Sequence, residues 1–148
     1  MLRDSIVADL RRLVGADAVL TDEAARIAAG TDFVTRRGVP GAVARPASGE
    51  QVAALVGFAA ERGVGVVARG AGTNLAAGIA PNEDSIVLDL ARMDRILEID
   101  APSHRAFVEP GVIVADLKSA VAPAGLVYAP DPASTPISTG LITWTPAN

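Results

Sequence analysis

A run of small residues at positions 66–78, VVARGAGTNLAAG, has the composition of a loop that binds an anion. Two valines and an alanine indicate the end of a strand, and glycines follow them at short intervals. Because glycine has no side chain, the backbone N–H groups of such a loop can converge on a phosphate group. The hydroxyl of Thr73 and the amide of Asn74 add further donors. The residues that we assign to this loop are Arg69, Gly70, Ala71, Gly72, Thr73, Asn74 and Gly78.

Other glycine-rich motifs fit this run less well. A Walker loop needs a lysine that reaches the phosphates, and the sole lysine of the chain is Lys118. The dinucleotide fingerprint G-x-G-x-x-G matches Gly70 and Gly72, but its third position is Leu75. The helix that should follow that fingerprint is interrupted by Pro81. A plain surface turn needs far fewer small residues. The sequence therefore favours a loop that holds an anion through its backbone.

Arg69 has two alternative roles in such a loop. Its guanidinium group either offsets the charge of the bound anion or fastens the loop to neighbouring carbonyl groups.

A second candidate segment, YAPDPAST, carries prolines that fix the backbone, and its remaining N–H groups with Ser134 and Thr135 can serve an external acceptor. An ordinary proline-rich loop is the alternative for that segment.

The elements that must position the glycine loop are alternating strands and helices. AVARP, residues 42–46, is typical of a short buried strand, and Ser48 and Gln51 have the spacing of a helix capping box. Apolar residues then recur at helical spacing. VGVVA, residues 64–68, follows as a strand, which completes a β-α-β unit with parallel strands. SIVLDL, residues 85–90, is a third predicted strand.

The pattern changes in the second half of the chain. RILEID, residues 95–100, alternates apolar and charged side chains as a half-exposed strand does, and the turn APSH leads to a further extended piece, RAFVEPG. Strand, short turn and strand indicate a hairpin and an antiparallel region. Besides the helix in the β-α-β unit, helices are predicted at residues 3–14 and at roughly 22–29. A further helix is indicated by Val114, Leu117 and Val121 and is ended by Pro123 and Gly125, and LVYAP is predicted to be extended.

The composition excludes several classes of function. Of 148 residues, 50% are hydrophobic and 3% aromatic, and the formal net charge is −4. Such a chain is poorly suited to nucleic acid, whose phosphates need basic residues. There is no cysteine for disulfides or thiolate metal sites, and the single histidine, His104, is expected to be a solvated turn residue without a partner for a metal. We find neither a membrane span nor a secretory signal and expect a cytoplasmic protein.

Two carboxylates need separate interpretation because they stand beside predicted strands. Glu109, in VEPG, precedes Pro-Gly at a strand end, where we expect an exposed or capping carboxylate rather than a catalytic base. Asp89, in VLDL, is expected to cap or pair locally. Neither residue is predicted to be catalytic.

Three stretches occur in an order and spacing typical of one family. They are ARPASGEQVAALVGFAAERGVGVVARGAGTNLAAGI, IVLDLARMDRILEID and VEPGVIVADLKSAVAPAGLVYAPDPAS, within residues 42–139. Together they resemble the N-terminal FAD-binding domain of the FAD-linked oxidases, the group of vanillyl-alcohol oxidase and p-cresol methylhydroxylase (PCMH). The branch that they resemble most is that of D-lactate dehydrogenase and the D-type subunit of glycolate oxidase.

The resemblance implies an α+β fold of the PCMH type: a small parallel β-α-β subdomain followed by a mostly antiparallel, incomplete subdomain, with FAD between them. It places the pyrophosphate of FAD on residues 69–74. Covalent members attach flavin through a histidine close behind the glycine loop, where this chain has Thr73 and Asn74, so the resemblance implies non-covalent FAD. The second cofactor segment falls on Pro130, Asp131, Pro132, Ala133, Ser134 and Thr139.

The activity that the resemblance implies is transfer of a hydride from the C–H group of a 2-hydroxy acid, such as D-lactate or glycolate, to FAD. In the resembled oxidoreductases the substrate is activated by a domain that this chain lacks, so we predict no catalytic residue. Two alternatives stay open. The chain is either a truncated, inactive fragment that binds FAD or part of it, or a piece that pairs with a partner chain supplying the missing half.

The division of the chain follows from the same resemblance. We expect an N-terminal helical segment at residues 1–38, a truncated PCMH-type FAD-binding domain at 39–140 and a divergent tail at 141–148. The tail is set apart because STGLITWTPAN does not match the glycine-rich continuation of the family. Trp144 is expected either to cover part of the apolar surface left by the truncation or to result from a disrupted reading frame.

Overall fold

The computed structural model describes residues 2–32, 38–73 and 80–130. Within these ranges the chain forms four α-helices, six strands and two short 3-10 turns. In chain order the elements are α1 (Asp4–Val14), β1 (Val19–Leu20), α2 (Glu23–Ala29), β2 (Ala42–Ala44), α3 (Gly49–Arg62), β3 (Gly65–Arg69), β4 (Ser85–Asp89), β5 (Ile96–Asp100), β6 (Arg105–Val108) and α4 (Val114–Val121).

The first sheet has four strands in the order β1-β2-β4-β3. β2 and β3 are both parallel to β4, whereas β1 pairs antiparallel with β2. The predicted parallel arrangement of the β-α-β unit is therefore confirmed, but its two strands are not neighbours because β4 lies between them. The first four residues of β4 are buried, as expected for a strand with both faces covered, whereas β3 at the edge is largely exposed.

Helices cover both faces of this sheet. α1 and α3 lie on one face, and α2 lies on the other. Successive residues of a strand point to opposite faces, so Ile86 and Leu88 pack with Leu55 of α3 whereas Val87 packs with Ala29 of α2. The face under α1 and α3 holds the larger apolar cluster. α2 adds only small side chains, which leaves its backbone close to the sheet.

α3 begins and ends with features that the sequence predicts. Ser48 Oγ accepts a hydrogen bond from the backbone N–H of Gln51 at 3.3 Å, and the Gln51 side-chain oxygen accepts one from the backbone N–H of Ala47 at 2.7 Å. These reciprocal bonds confirm the capping box, with the return bond made one residue before the cap. Gly63 ends the helix in the left-handed conformation, with φ +64°.

The second sheet is the predicted hairpin of β5 and β6, which pair antiparallel beside α4. A register irregularity lies between Ile96 and Glu98, and it changes which residues of β5 face the core. Ile96 and Ile99, which a regular strand would place on opposite faces, both pack against the cluster around Leu117. Leu97 is 59% exposed as a result. The hairpin is therefore confirmed, but the simple alternation along β5 is not.

Several short elements lie outside the sequence predictions. β1 and the 3-10 turn Ala16–Ala18 extend the chain from α1 to the edge of β2. Residues 126–130 join no strand, although Leu126 and Tyr128 pack against the core of the hairpin. His104 is exposed in the hairpin turn with φ +54°, which confirms its expected place.

Glu109 is buried, contrary to the expectation of an exposed carboxylate. It accepts hydrogen bonds from the backbone N–H of Arg95 at 2.9 Å, from its Nε at 3.2 Å and from its Nη2 at 2.7 Å. The Arg95 side chain is itself 68% exposed and covers the carboxylate from the solvent side. These hydrogen bonds lower the pKa of Glu109 below its ordinary value. Glu109 therefore ties the end of β6 to the start of β5 and is not free to act as a base.

Leu55→Ala is expected to lower the free energy of unfolding by about 2–5 kcal/mol because it leaves a cavity in the larger cluster. Val56→Ala is the matched control, since Val56 is the next residue of α3 and is 45% exposed. Urea denaturation of the three proteins checks the expectation. Equal losses in the two variants would contradict the assigned face of α3.

Glu109→Gln is expected to lower stability in a manner that depends on pH. The pKa of Glu109 is depressed in the folded chain, so its stabilisation is present above the ordinary pKa of 4.5 and is lost as the pH falls through the folded pKa. The difference in unfolding free energy between wild type and variant should therefore be constant at neutral pH and narrow below 4.5. Urea denaturation across this range measures it. Glu98→Gln, at an exposed position of β5, is the control. If the difference in unfolding free energy between wild type and Glu109→Gln does not change with pH, the depressed pKa assigned to Glu109 is contradicted.

Candidate cofactor-binding site

The glycine loop begins at the carboxyl end of β3, the edge strand of the first sheet. Arg69 is the last residue of β3 and is paired in register with Asp89, the last residue of β4. Because β2, β3 and β4 are parallel, their carboxyl ends lie along one edge of the sheet, where Arg45 also follows β2. In open sheets of parallel strands, ligands bind beyond this edge.

The backbone conformation of Gly72 favours glycine, and the guanidinium group of Arg69 lies beside it. Its φ is +72°, in the left-handed region. A Cβ atom placed on Gly72 would lie 2.2 Å from Nη2 of Arg69 and 2.6 Å from Nη1. The neighbouring residues 70–73 are partly exposed, and none has a side chain larger than that of threonine. The described part of the loop therefore presents little side-chain bulk at the carboxyl edge of the sheet.

Arg69 makes the contacts expected of a residue that fastens the loop to neighbouring carbonyl groups, the second of the two roles predicted for it. Its Nη1 donates a hydrogen bond to the backbone carbonyl of Thr31 at 2.7 Å and to that of Ala29 at 3.3 Å. Partial burial lowers the pKa of Arg69, and the charges of Asp89 and Asp32 act in the opposite direction. An arginine stays charged under such a shift, so a positive charge lies directly behind the loop.

A cavity of about 240 Å³ opens at the same edge of the sheet, between α2 and the ends of β2 and β4. Its polar wall consists of Arg45, Arg69 and Asp89, and alanines of α2 form much of the rest. Asp89 accepts a hydrogen bond from the backbone N–H of Ala91 at 3.1 Å and lies 3.4 Å from Nε of Arg45. The bond from Ala91 confirms the expectation of a local cap at Asp89, whereas Arg45 belongs to a different part of the chain, the end of β2.

The structure describes only part of the predicted site. Residues 69–73 lie together at the carboxyl edge, and Pro130 is partly exposed beyond the core of the hairpin. The predicted residues that lie outside the described ranges are Asn74, Gly78, Asp131, Pro132, Ala133, Ser134 and Thr139. Their assignment to the cofactor stays a prediction.

Sequence reasoning missed the groups that hold Arg69. They are the backbone carbonyls of Ala29 and Thr31, together with Asp32, which is 6% exposed. Every residue has a carbonyl group, so no side-chain pattern marks these two. A weak signal was available in the end of the predicted helix at residue 29, because the last carbonyls of a helix lack donors within it.

Neither a metal site nor a membrane span is found where the structure describes the chain. In residues 2–32, 38–73 and 80–130, no three histidine or acidic side chains are grouped as a metal ion would need. Over the same ranges, no helix has the length and apolar character to cross a membrane.

Comparisons with known proteins identify the family. A family model described as an FAD binding domain matches residues 40–141. The chain is 43% identical over 101 residues to glycolate oxidase subunit GlcD of Bacillus subtilis (strain 168), which covers 68% of this chain and 22% of the relative. It is 36% identical over 98 residues to the D-lactate dehydrogenase of Archaeoglobus fulgidus, which covers 66% and 22%. A crystal structure of p-cresol methylhydroxylase with substrate bound has a TM-score of 0.71 and 26% identity over 83% of this chain and 25% of that chain.

The match is extensive for this chain and partial for its relatives. The chain spans about a fifth of the length of these curated relatives, at 22% of each. The parallel sheet followed by an antiparallel hairpin agrees with the fold of the PCMH group. Because the family model matches well over half of the chain, the chain belongs to the FAD-binding domains of FAD-linked oxidoreductases, and its cofactor is FAD.

Proposed function

We propose that the chain binds FAD non-covalently and that the backbone of the glycine loop holds the diphosphate. The observation that carries this proposal is the left-handed Gly72 in an open loop of small residues at the carboxyl edge of the parallel sheet. The side chain of Thr73 in this loop is unsuited to a covalent flavin link, and His104, the single histidine, lies in the hairpin turn. Asn74 and Gly78, and residues 130–139, are proposed to complete the contacts with the cofactor.

We further propose that the chain is the cofactor-binding part of an enzyme that oxidises a 2-hydroxy acid. The support is the names of two relatives, a glycolate oxidase subunit and a D-lactate dehydrogenase, since glycolate and D-lactate are both 2-hydroxy acids. Bound FAD would supply the acceptor for the hydride of the substrate C–H group. The residues of this chain then bind and orient the cofactor. No described residue is assigned a catalytic role, and the division at residues 38 and 140 is part of the same proposal.

A second candidate function is binding of FAD without catalysis, with activity restored by a partner chain. One observation favours it. The hairpin exposes Leu97 and Phe107, which are 59% and 50% accessible. A polypeptide that covers this apolar surface would complete the second subdomain.

The purified chain is expected to carry flavin, seen as its yellow absorbance, and to release it on denaturation because the cofactor is not covalently bound. Addition of D-lactate or glycolate with an artificial electron acceptor then separates the two functions. Turnover supports the oxidoreductase, whereas bound flavin without turnover supports the binding function. If neither purified nor FAD-supplemented protein holds flavin, the proposed function is wrong for the chain alone.

Gly72→Val is expected to weaken FAD binding by about tenfold or more, because the left-handed conformation of a residue with a Cβ is unfavourable by about 1–2 kcal/mol and the added atoms meet Arg69. Quenching of flavin fluorescence during titration measures the affinity. Gly57→Val is the matched control, since a Cβ on Gly57 meets nothing within 4 Å. Unchanged FAD affinity in Gly72→Val would refute the assignment of the diphosphate to this loop.

A further inference from the structure

The carboxyl end of α2 lies beside the start of the glycine loop. The last carbonyl groups of a helix have no donors within it and need partners from elsewhere. One such group, the carbonyl of Ala29, and the carbonyl of Thr31 just beyond the helix both accept hydrogen bonds from Nη1 of Arg69, at 3.3 and 2.7 Å. The guanidinium group therefore joins the end of β3 to a segment about forty residues earlier, at sequence separations of 40 and 38.

The segment that receives Arg69 is fixed by contacts of its own. Nε of Arg26 donates to the backbone carbonyl of Pro40 at 2.6 Å, and Oγ1 of Thr31 donates to the carbonyl of Ile27 at 2.7 Å. A Cβ on Gly30 would lie 2.0 Å from the carbonyl oxygen of Gly38, so the two backbones touch there. We call residues 29–31 the α2 platform. Its position is set by the backbone on both sides of it.

The chain that follows the glycine loop also lies near the α2 platform, because Pro81 contacts Gly38. A Cβ on Gly38 would lie 1.9 Å from the carbonyl oxygen of Pro81, in the segment that follows residues 74–79. Gly38 in turn contacts Gly30 of the α2 platform. The residues on both sides of the loop are thus linked to the α2 platform. Arg69, before the loop, contacts it directly, and Pro81, after the loop, contacts it through Gly38.

Two carboxylates of the protein partly offset the charge of Arg69. Asp89 and Asp32 are the carboxylates whose charges favour its ionised form. Nη1 is engaged by the two carbonyls, and the guanidinium group fills the space beside Gly72 where a Cβ would stand. One nitrogen of the guanidinium group is therefore engaged by the protein, and the group lies against Gly72.

We infer that Arg69 is a positioning residue, which fastens the glycine loop to the α2 platform and makes no direct ion pair with the diphosphate of FAD. The inference rests on the proposed function for the identity of the ligand, and it adds a part of the chain, residues 29–31, that lies outside the match to the family model at residues 40–141. The loop then binds through backbone groups whose arrangement Arg69 maintains.

The ionic-strength dependence of FAD binding tests whether Arg69 touches the ligand. Arg69→Met is expected to weaken FAD binding by about tenfold, while the slope of log Kd against log salt concentration stays that of the wild type, because salt screens a direct ion pair but not a loop anchor. Arg62→Met is the control. Arg62 is the last residue of α3, and its guanidinium group lies over the ring of Phe58 in the same helix. A smaller salt slope in Arg69→Met, or an unchanged affinity, would overturn the inference.

A double-mutant cycle in the FAD-free protein tests the anchor independently of the cofactor. Gly72→Ala should destabilise the wild type more than it destabilises Arg69→Met, because the guanidinium group that the new Cβ would meet is gone. If Gly72→Ala and Arg69→Met change the urea midpoint additively, the role of Arg69 as an anchor for Gly72 is refuted. If the wild type does not bind FAD at all, the proposed function fails, and this cycle still decides whether Arg69 holds Gly72. Circular dichroism verifies that each variant is folded.

Discussion

The end of a helix needs hydrogen-bond donors for its last carbonyl groups, and in this protein the guanidinium group of Arg69 provides one for the last of them, that of Ala29, where the glycine loop begins. Arg69 joins β3 to the end of α2, and its atoms fill the space beside Gly72. A loop of small residues has little side-chain packing to hold its shape, so its conformation depends on such an anchor. The neighbouring segment, residues 29–31, thus supports a loop that has few side chains of its own to pack.

The central strand of the first sheet, β4, determines where Arg69 lies relative to the other strand ends. β4 is buried along its first four residues and lies between β2 and β3. This order brings the carboxyl ends of three parallel strands to one edge and places Asp89 beside Arg69. Alanines of α2 line the cavity at this edge, and the carbonyl groups of Ala29 and Thr31 lie within hydrogen-bond distance of Arg69.

The two carboxylates that stand beside strand ends, Asp89 and Glu109, serve the structure of the chain. Asp89 caps the turn after β4 and faces Arg45, and Glu109 holds Arg95 across the start of the hairpin. Hydrogen bonds from Arg95 lower the pKa of Glu109, so it is ionised at neutral pH and is a poor proton acceptor. This is consistent with a domain in which the bound flavin supplies the redox chemistry and the polypeptide supplies its place.

The sequence by itself determined the features that depend on neighbouring residues: the capping box at Ser48, the end of α3 at Gly63, the hairpin and the glycine loop after β3. Propensity, periodicity and turn chemistry act over a few residues, so they can be recognised in one dimension. The order of strands, the irregularity in β5, the burial of Glu109 and the partners of Arg69 were decided only by the tertiary structure. They depend on contacts between separate elements, such as that of Arg69 with Thr31 at a separation of 38 residues. The carbonyl groups that Arg69 contacts are also not distinguished by any residue type.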